Sequence, residues 1–208
     1  EALGEVSIYN GEYELGYLSI NGSVRKQIYT YFLYEANDGT QKESPAYCVN
    51  PNQYGVPQTV GPGESIKYLA EERASDPKVV GIISNGYPHR SLGELKLDNK
   101  YQAYYATKMA LWCYLMPDWN IANLKVAPGL SGSELDIGNR ILAAAKQTGA
   151  QAFDNGAAPE LLLQQALLPA ARFLGMHFQA DTIEAFWRAA TPAWAQVLQN
   201  PRNPPIPA

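Results

Sequence analysis

Residues 5–35 read EVSIYNGEYELGYLSINGSVRKQIYTYFLYE, and this stretch decides the fold. Three runs rich in β-branched and aromatic residues stand out: Glu5 to Tyr9, Tyr13 to Ile20 and Val24 to Glu35. Asn10-Gly11 and Asn21-Gly22 separate them, and Asp38-Gly39 follows. Tight hairpin turns need positive φ at their central residues, which Asn, Asp and Gly tolerate best. The pattern predicts an antiparallel sheet, with a further strand at Pro45 to Val49 that carries Cys48.

Moving outward, all 14 tyrosines lie between Tyr9 and Tyr114, and the last lysine is Lys146. Beyond it Ala, Leu and Gln dominate, a shift from sheet-forming to helix-forming composition. Asn99 to Leu115 predicts a helix ended by Pro117. Tyr101, Tyr104, Tyr105, Lys108, Leu111, Trp112 and Leu115 recur there at three- and four-residue spacings on one broad face. A second helix is expected over Ser133 to Lys146, capped by Ser133, with Leu135, Ile141, Leu142 and Ala145 facing inward. Glu64 to Arg73 has weak helical spacing. The run after Asp76-Pro77 reads either as a helix with proline in its first turn or as a buried strand. Asn85-Gly86-Tyr87-Pro88 is a loop.

From Gly149 onward, helices are expected after Pro159 and after Asp181-Thr182-Ile183-Glu184, with His177 on a helix surface or interface. The Pro-rich end is an extended tether. The division is therefore 1–148, a sheet with a helical subdomain; 149–199, a helical extension or cap; and 200–208, a linker. Together these predict an α+β fold: an antiparallel β-sandwich or barrel with a helical subdomain, plus a helical C-terminal extension.

A net charge of -4 without a Lys/Arg run argues against nucleic-acid binding and against a polybasic membrane patch. No stretch reaches the roughly 20 apolar residues of a membrane span, so no membrane insertion is expected. The first residues have neither a basic n-region nor an apolar h-region. Cys48 and Cys113 form either one disulfide or two separate thiols. With two histidines and no cysteine pair at ligand spacing, no metal is expected. Nucleotide-binding and nucleophile-elbow fingerprints are absent, so neither a cofactor nor a metabolic enzyme activity is expected.

Two segments resemble the thioester domains of Gram-positive surface adhesins. Tyr47-Cys48-Val49 has that family's aromatic-Cys-aliphatic form, and Ala106-Thr107-Lys108-Met109-Ala110-Leu111-Trp112 matches its Ala-Thr-Gln-x-Ala-aliphatic-Trp helix. Asn85-Gly86-Tyr87-Pro88 and Tyr104-Tyr105 also fit, and the resemblance spans roughly Val6 to Ala150. It implies that a cysteine thiolate attacks a glutamine carboxamide, that ammonia leaves, and that a thioester remains, the fold supplying proximity. It further implies covalent capture of an amine on a host-surface protein, a wall-anchored extracellular location, and stalk domains adjoining in the same chain.

Lys108 stands where the motif has glutamine, and an ammonium group has no acyl carbon. The domain has then lost the bond naturally, been altered by design, or found its acyl partner elsewhere. Gln102, six positions earlier, is rotated well away from Lys108, and Gln53 is five residues after Cys48. Tyr47, Thr107, Tyr104, Trp112 and His89 are the candidates to line the site. The expected role is host attachment without the covalent bond. The alternatives are a structural spacer and, from another class, a cysteine-dependent enzyme using Cys48 with His89 as base. Cys48 is also readable simply as a small buried hydrophobe.

Overall fold

The computed structural model describes residues 4–35, 38–49, 65–70, 76–154 and 176–178. The expected helices after Pro159 and Asp181, the linker 200–208 and Gln53 lie outside the described residues. The strands are β1 Gly4–Leu15, β2 Leu18–Ile20, β3 Ser23–Val24, β4 Gln27–Glu35, β5 Gln41–Cys48, β6 Ser65–Ala70, β7 Lys125–Val126 and β8 Met176–Phe178. The helices are α1 Pro77–Ser84, α2 Leu92–Leu95, α3 Lys100–Leu115 and α4 Gly132–Asp154. The α+β class expected from the sequence is what forms, and neither sheet closes into a barrel. The described residues divide into two compact units: 4–11, 30–49, 65–80 and 176–178 in the first, 12–29 and 81–154 in the second.

In the first unit the sheet has the order β6-β1-β4-β5-β8. β1 does not turn at Asn10-Gly11 as the dipeptide suggested. It continues as strand, with Asn10 buried and its Oδ1 accepting from Thr30 Oγ1 at 3.5 Å. A dipeptide that permits a turn does not compel one when a neighbouring strand is available. The Asp38-Gly39 turn does form: Gly39 has φ 78°, and Asp38 Oδ1 accepts from the amide and the hydroxyl of Thr40. It joins β4 to β5 with Tyr31 opposite Pro45 and Glu35 opposite Gln41.

β6 replaces the helical spacing read over Glu64 to Arg73. It pairs antiparallel with β1 from Gly4↔Ala70 to Tyr9↔Ser65, so long-range pairing overrides a weak local preference. α1 settles the ambiguity after Asp76 in favour of a helix. Pro77 occupies the first turn, and Asp76 Oδ1 accepts from the amides of Lys78 (2.9 Å) and Val79 (3.4 Å). Ile8, Phe32 and Tyr47 are fully buried, each contributing on the order of 1.5–3 kcal/mol.

β8 departs from the helical reading of His177. It pairs antiparallel with β5, with Tyr47 opposite His177 and Cys48 opposite Met176, so the chain returns to the sheet after its helices.

In the second unit Asn21-Gly22 makes the expected two-residue hairpin, with φ of 51° and 77° and Ile20 opposite Ser23. β7 adds to β2, giving the order β3-β2-β7. α3 begins where predicted, with Asn99 Oδ1 accepting from the Gln102 amide at 3.0 Å, and stops before Pro117. It is buried on every side from Gln102 to Leu111 rather than on one face, as a central helix must be. Leu18, Ile20, Met109, Leu124 and Ile141 belong to its core.

α4 starts one residue before Ser133 and runs beyond both Lys146 and the expected boundary at 148. Ile141 and Ala145 face inward as expected, Leu142 is half-buried, and Leu135 is 40% exposed. Arg140 of α4 forks onto Asp98 (2.9 and 3.0 Å), donates to the Lys96 carbonyl at 3.2 Å and pairs with Asp136. These bonds fix the segment that leads into α3.

Candidate functional site

Cys48 is the last residue of β5. Ser44, Pro45, Ala46, Tyr47 and Cys48 are all buried, so both faces of the strand are covered there. Cys48 keeps 6% of its surface and Tyr47 none. The strand is flanked by β4 on one side and, from Ala46 onward, by β8 on the other. Pro45 lies outside the β8 ladder, which suits a residue with no amide hydrogen. Neither Cys48 nor Cys113 is in a disulfide.

Lys108 lies in the middle of α3 and is also 6% exposed. Its Nζ stands 5.6 Å from the centre of the Tyr104 ring and 5.2 Å from that of Trp112. Those residues are one helical turn before and after it, so the shared face predicted from spacing is real. Each ring attracts the cation by about 0.5–2 kcal/mol, more as water is excluded. Tyr104 is buried and Trp112 half-buried.

Thr107 has no exposed surface. Its hydroxyl donates to the Ala103 carbonyl at 2.9 Å and accepts from the Tyr87 amide at 2.9 Å. The loop is drawn against the helix closely enough that a Cβ on Gly86 would overlap the Thr107 side chain. Glycine is required there by close approach, a role that only the folded chain reveals. Asn85 holds the loop from within: its Nδ2 donates to the Gly81 carbonyl (2.8 Å), and its Oδ1 accepts from Arg90 Nη2 (2.9 Å). Its carbonyl accepts from Thr148 Oγ1 on α4. Two of the three motif segments are thereby locked together.

The thioester-domain family profile matches residues 45–151, a span that contains the end of β5 with Cys48, the loop at 85–88 and the whole of α3. The chain belongs to the thioester-domain family. Among solved structures, it shares its fold with the thioester domain of the Enterococcus faecium TIE86 protein. The TM-score is 0.53 at 17% identity, over 74% of this chain and 52% of that one. It is also similar to the Bacillus anthracis TIE protein (TM-score 0.43, 20% identity, 69% of this chain and 24% of that one). A third similarity is to the N-terminal thioester domain of fibronectin-binding protein SfbI from Streptococcus pyogenes (0.36, 17%, 72% and 79%). The chain thus spans about half of the Enterococcus structure and a quarter of the Bacillus one. A search of curated proteins finds no match.

Within this thioester domain, Cys48 and Tyr47 belong to the first unit, and Thr107, Lys108, Tyr104, Trp112 and His89 to the second. His89 is half-buried in the turn after Pro88. Gln102 has a local duty: its Oε1 accepts from the Asp98 amide at 2.9 Å, tying its carboxamide to the start of α3. Cys113 is packed into the core, and burial pushes its thiol up to about 12, so it is neutral at ordinary pH. Among the described residues no cluster of three or more His, Cys, Asp or Glu could hold a metal ion, and no helix is long and apolar enough to cross a membrane.

Proposed function

We propose that this thioester domain is an adhesin-type binding module, not an enzyme, carried on the outside of a Gram-positive cell and anchored to its wall. Its partner is a protein on a host surface, engaged without a covalent bond. The observation that carries this reading is Lys108, which stands in the Ala106-Thr107-…-Ala110-Leu111-Trp112 helix motif where the family chemistry uses glutamine. A thioester needs a carboxamide carbon for the thiolate to attack, and a lysine side chain has none. The position is filled instead by a buried ammonium group held between Tyr104 and Trp112. In this reading further domains of the same protein form a stalk that presents the module.

The same burial supports a second reading. Thr107, Tyr104 and Lys108 are packed as core residues, which suits a structural spacer in a surface protein as well as it suits a binding site.

The intact mass of the folded, non-reduced protein, with and without methylamine, tests the proposal. The expected mass is that of the unmodified chain in both samples. A mass lower by one ammonia, converted by methylamine to an adduct, would overturn it and direct attention to Gln53 as the acyl partner.

A further inference from the structure

The second unit contains a cleft of about 370 Å³ beside the C-terminal half of α3, within the range of small-ligand pockets. Ile82 of α1, Ala110 of α3, Gly149 of α4, and Ile121 from the segment between α3 and α4 give it apolar walls, and Tyr114, Pro117 and Trp119 give it rings. Gly149 belongs there for a steric reason, since a Cβ would stand 2.7 Å from Ile121 Cδ1 and push that wall inward. Cys113 also faces the cleft, but burial keeps its thiol neutral, so it supplies neither charge nor a nucleophile.

Asp118 carries the one formal charge on the lining. Its backbone carbonyl is occupied by Asn21 Nδ2 at 2.9 Å, which holds the residue in place, and no described residue forms an ion pair with its carboxylate. The half-buried Arg25 stacks on the Trp119 ring at 4.5 Å from its centre and is not part of the lining. Asn120 Oδ1 accepts from the Ala122 amide and so caps the single 3-10 turn Ile121–Asn123, leaving its Nδ2 as a donor. An apolar lining with a single anionic residue, Asp118, at an exposed position selects a particular kind of guest. Its body must be a short hydrocarbon chain, and its end must be cationic.

We infer that this cleft is a reversible subsite for a primary alkylammonium group, with the alkyl chain on Ile82, Ala110 and Ile121 and the ammonium at the Asp118 carboxylate. The group is that of a lysine side chain or of a free alkylamine. The inference does not depend on the reading of Lys108, because no bond is made or broken.

The test is a titration of ¹⁵N-labelled protein at neutral pH with pentylamine, pentanol and pentanoate, following the Trp119 indole and the Asn120 and Ile121 amides. Pentylamine is expected to give saturable shifts at these groups, at least tenfold tighter than pentanol, with pentanoate weaker still. Asp118→Asn, a change at an exposed position, is expected to bring pentylamine down to the level of pentanol. Equal binding of amine and alcohol, indifference to Asp118→Asn, or no saturable shift would each overturn the inference. Binding of N-acetyl-lysine methylamide as tightly as pentylamine assigns the group to a protein partner; binding of pentylamine alone assigns it to a free amine. Intact mass at the end of the titration keeps the two proposals apart, since a covalent adduct would count against the bond-less reading and not against the cleft.

Discussion

The backbone amide of Tyr87 donates to Thr107 Oγ1 at 2.9 Å, which fastens the loop 85–88 to α3 one residue before Lys108. The same hydroxyl donates back to Ala103, so one buried side chain serves both the helix and the loop. Thr107→Val keeps the shape and removes both bonds, leaving the Tyr87 amide without its acceptor. The expected cost is about 1–3 kcal/mol in urea unfolding, with Thr107→Ser restoring most of it. Gly86→Ala should cost more than Thr107→Val, because its Cβ meets the threonine directly. Equal stability of Thr107→Val and the parent would show that the loop is held by other contacts.

If Lys108 is all that separates this domain from a bond-forming one, Lys108→Gln supplies the missing atom. The Cys48 thiolate would attack the new carboxamide carbon, the C–N bond would break, and ammonia would leave with the thiol proton. The expected readout is an intact mass one ammonia below the Lys108→Gln sequence, absent when Cys48→Ala is added. An unmodified mass in a folded Lys108→Gln protein would mean that the cysteine strand and α3 do not present their side chains to one another.

How much of this was legible in the sequence depends on how local each cause is. α3 was readable almost to the residue, because its cap Asn99 and its breaker Pro117 both lie within the segment they delimit. Cys48 and Lys108 were readable as positions in short motifs, and the Tyr104, Lys108 and Trp112 face followed from helical spacing. Asn21-Gly22 turns while Asn10-Gly11 does not, and the two dipeptides are identical; only the neighbouring strands differ. β6 was misread for the same reason, its partner β1 being some sixty residues away in the chain. The need for glycine at position 86, set by Thr107 one residue beyond the 20-residue span of the Tyr87–Thr107 bond, and the Arg140–Asp98 clamp across 42 residues are both distant contacts. No periodicity or dipeptide encodes such contacts.

The Arg140 fork predicts a pH dependence. The Arg140 hydrogen bonds hold the Asp98 carboxyl below its ordinary value near 3.8. A carboxylate depressed in the folded state contributes stability above the unfolded value and loses it as pH falls through the folded one. Asp98→Asn should therefore be less stable than the parent above about pH 4, and the difference should shrink as pH falls below it. Because both groups face solvent, salt at about 0.5 M should also narrow the gap. A gap that stayed constant from pH 2 to 7 would assign the effect of Asp98→Asn to packing instead of charge.

At the alkaline end, Tyr105 makes the complementary prediction. Its hydroxyl accepts from the Leu18 amide at 3.0 Å and donates to the Arg25 carbonyl at 2.5 Å, joining α3 to the β2–β3 hairpin. Tyr105→Phe leaves a buried amide unsatisfied and should cost about 1–3 kcal/mol at pH 7. Burial also raises the phenol well above its ordinary value of 10.0. Above pH 10 the unfolded chain ionises this tyrosine while the folded protein keeps it neutral, so the folded state binds more protons and stability falls as pH rises. The other tyrosines are common to both proteins and cancel in the difference. The stability gap between the parent and Tyr105→Phe should therefore be constant from pH 7 to about 9.5 and close progressively above pH 10. A gap that stayed open there would mean that the folded protein ionises Tyr105 as readily as the unfolded chain does, and that its hydroxyl is open to water.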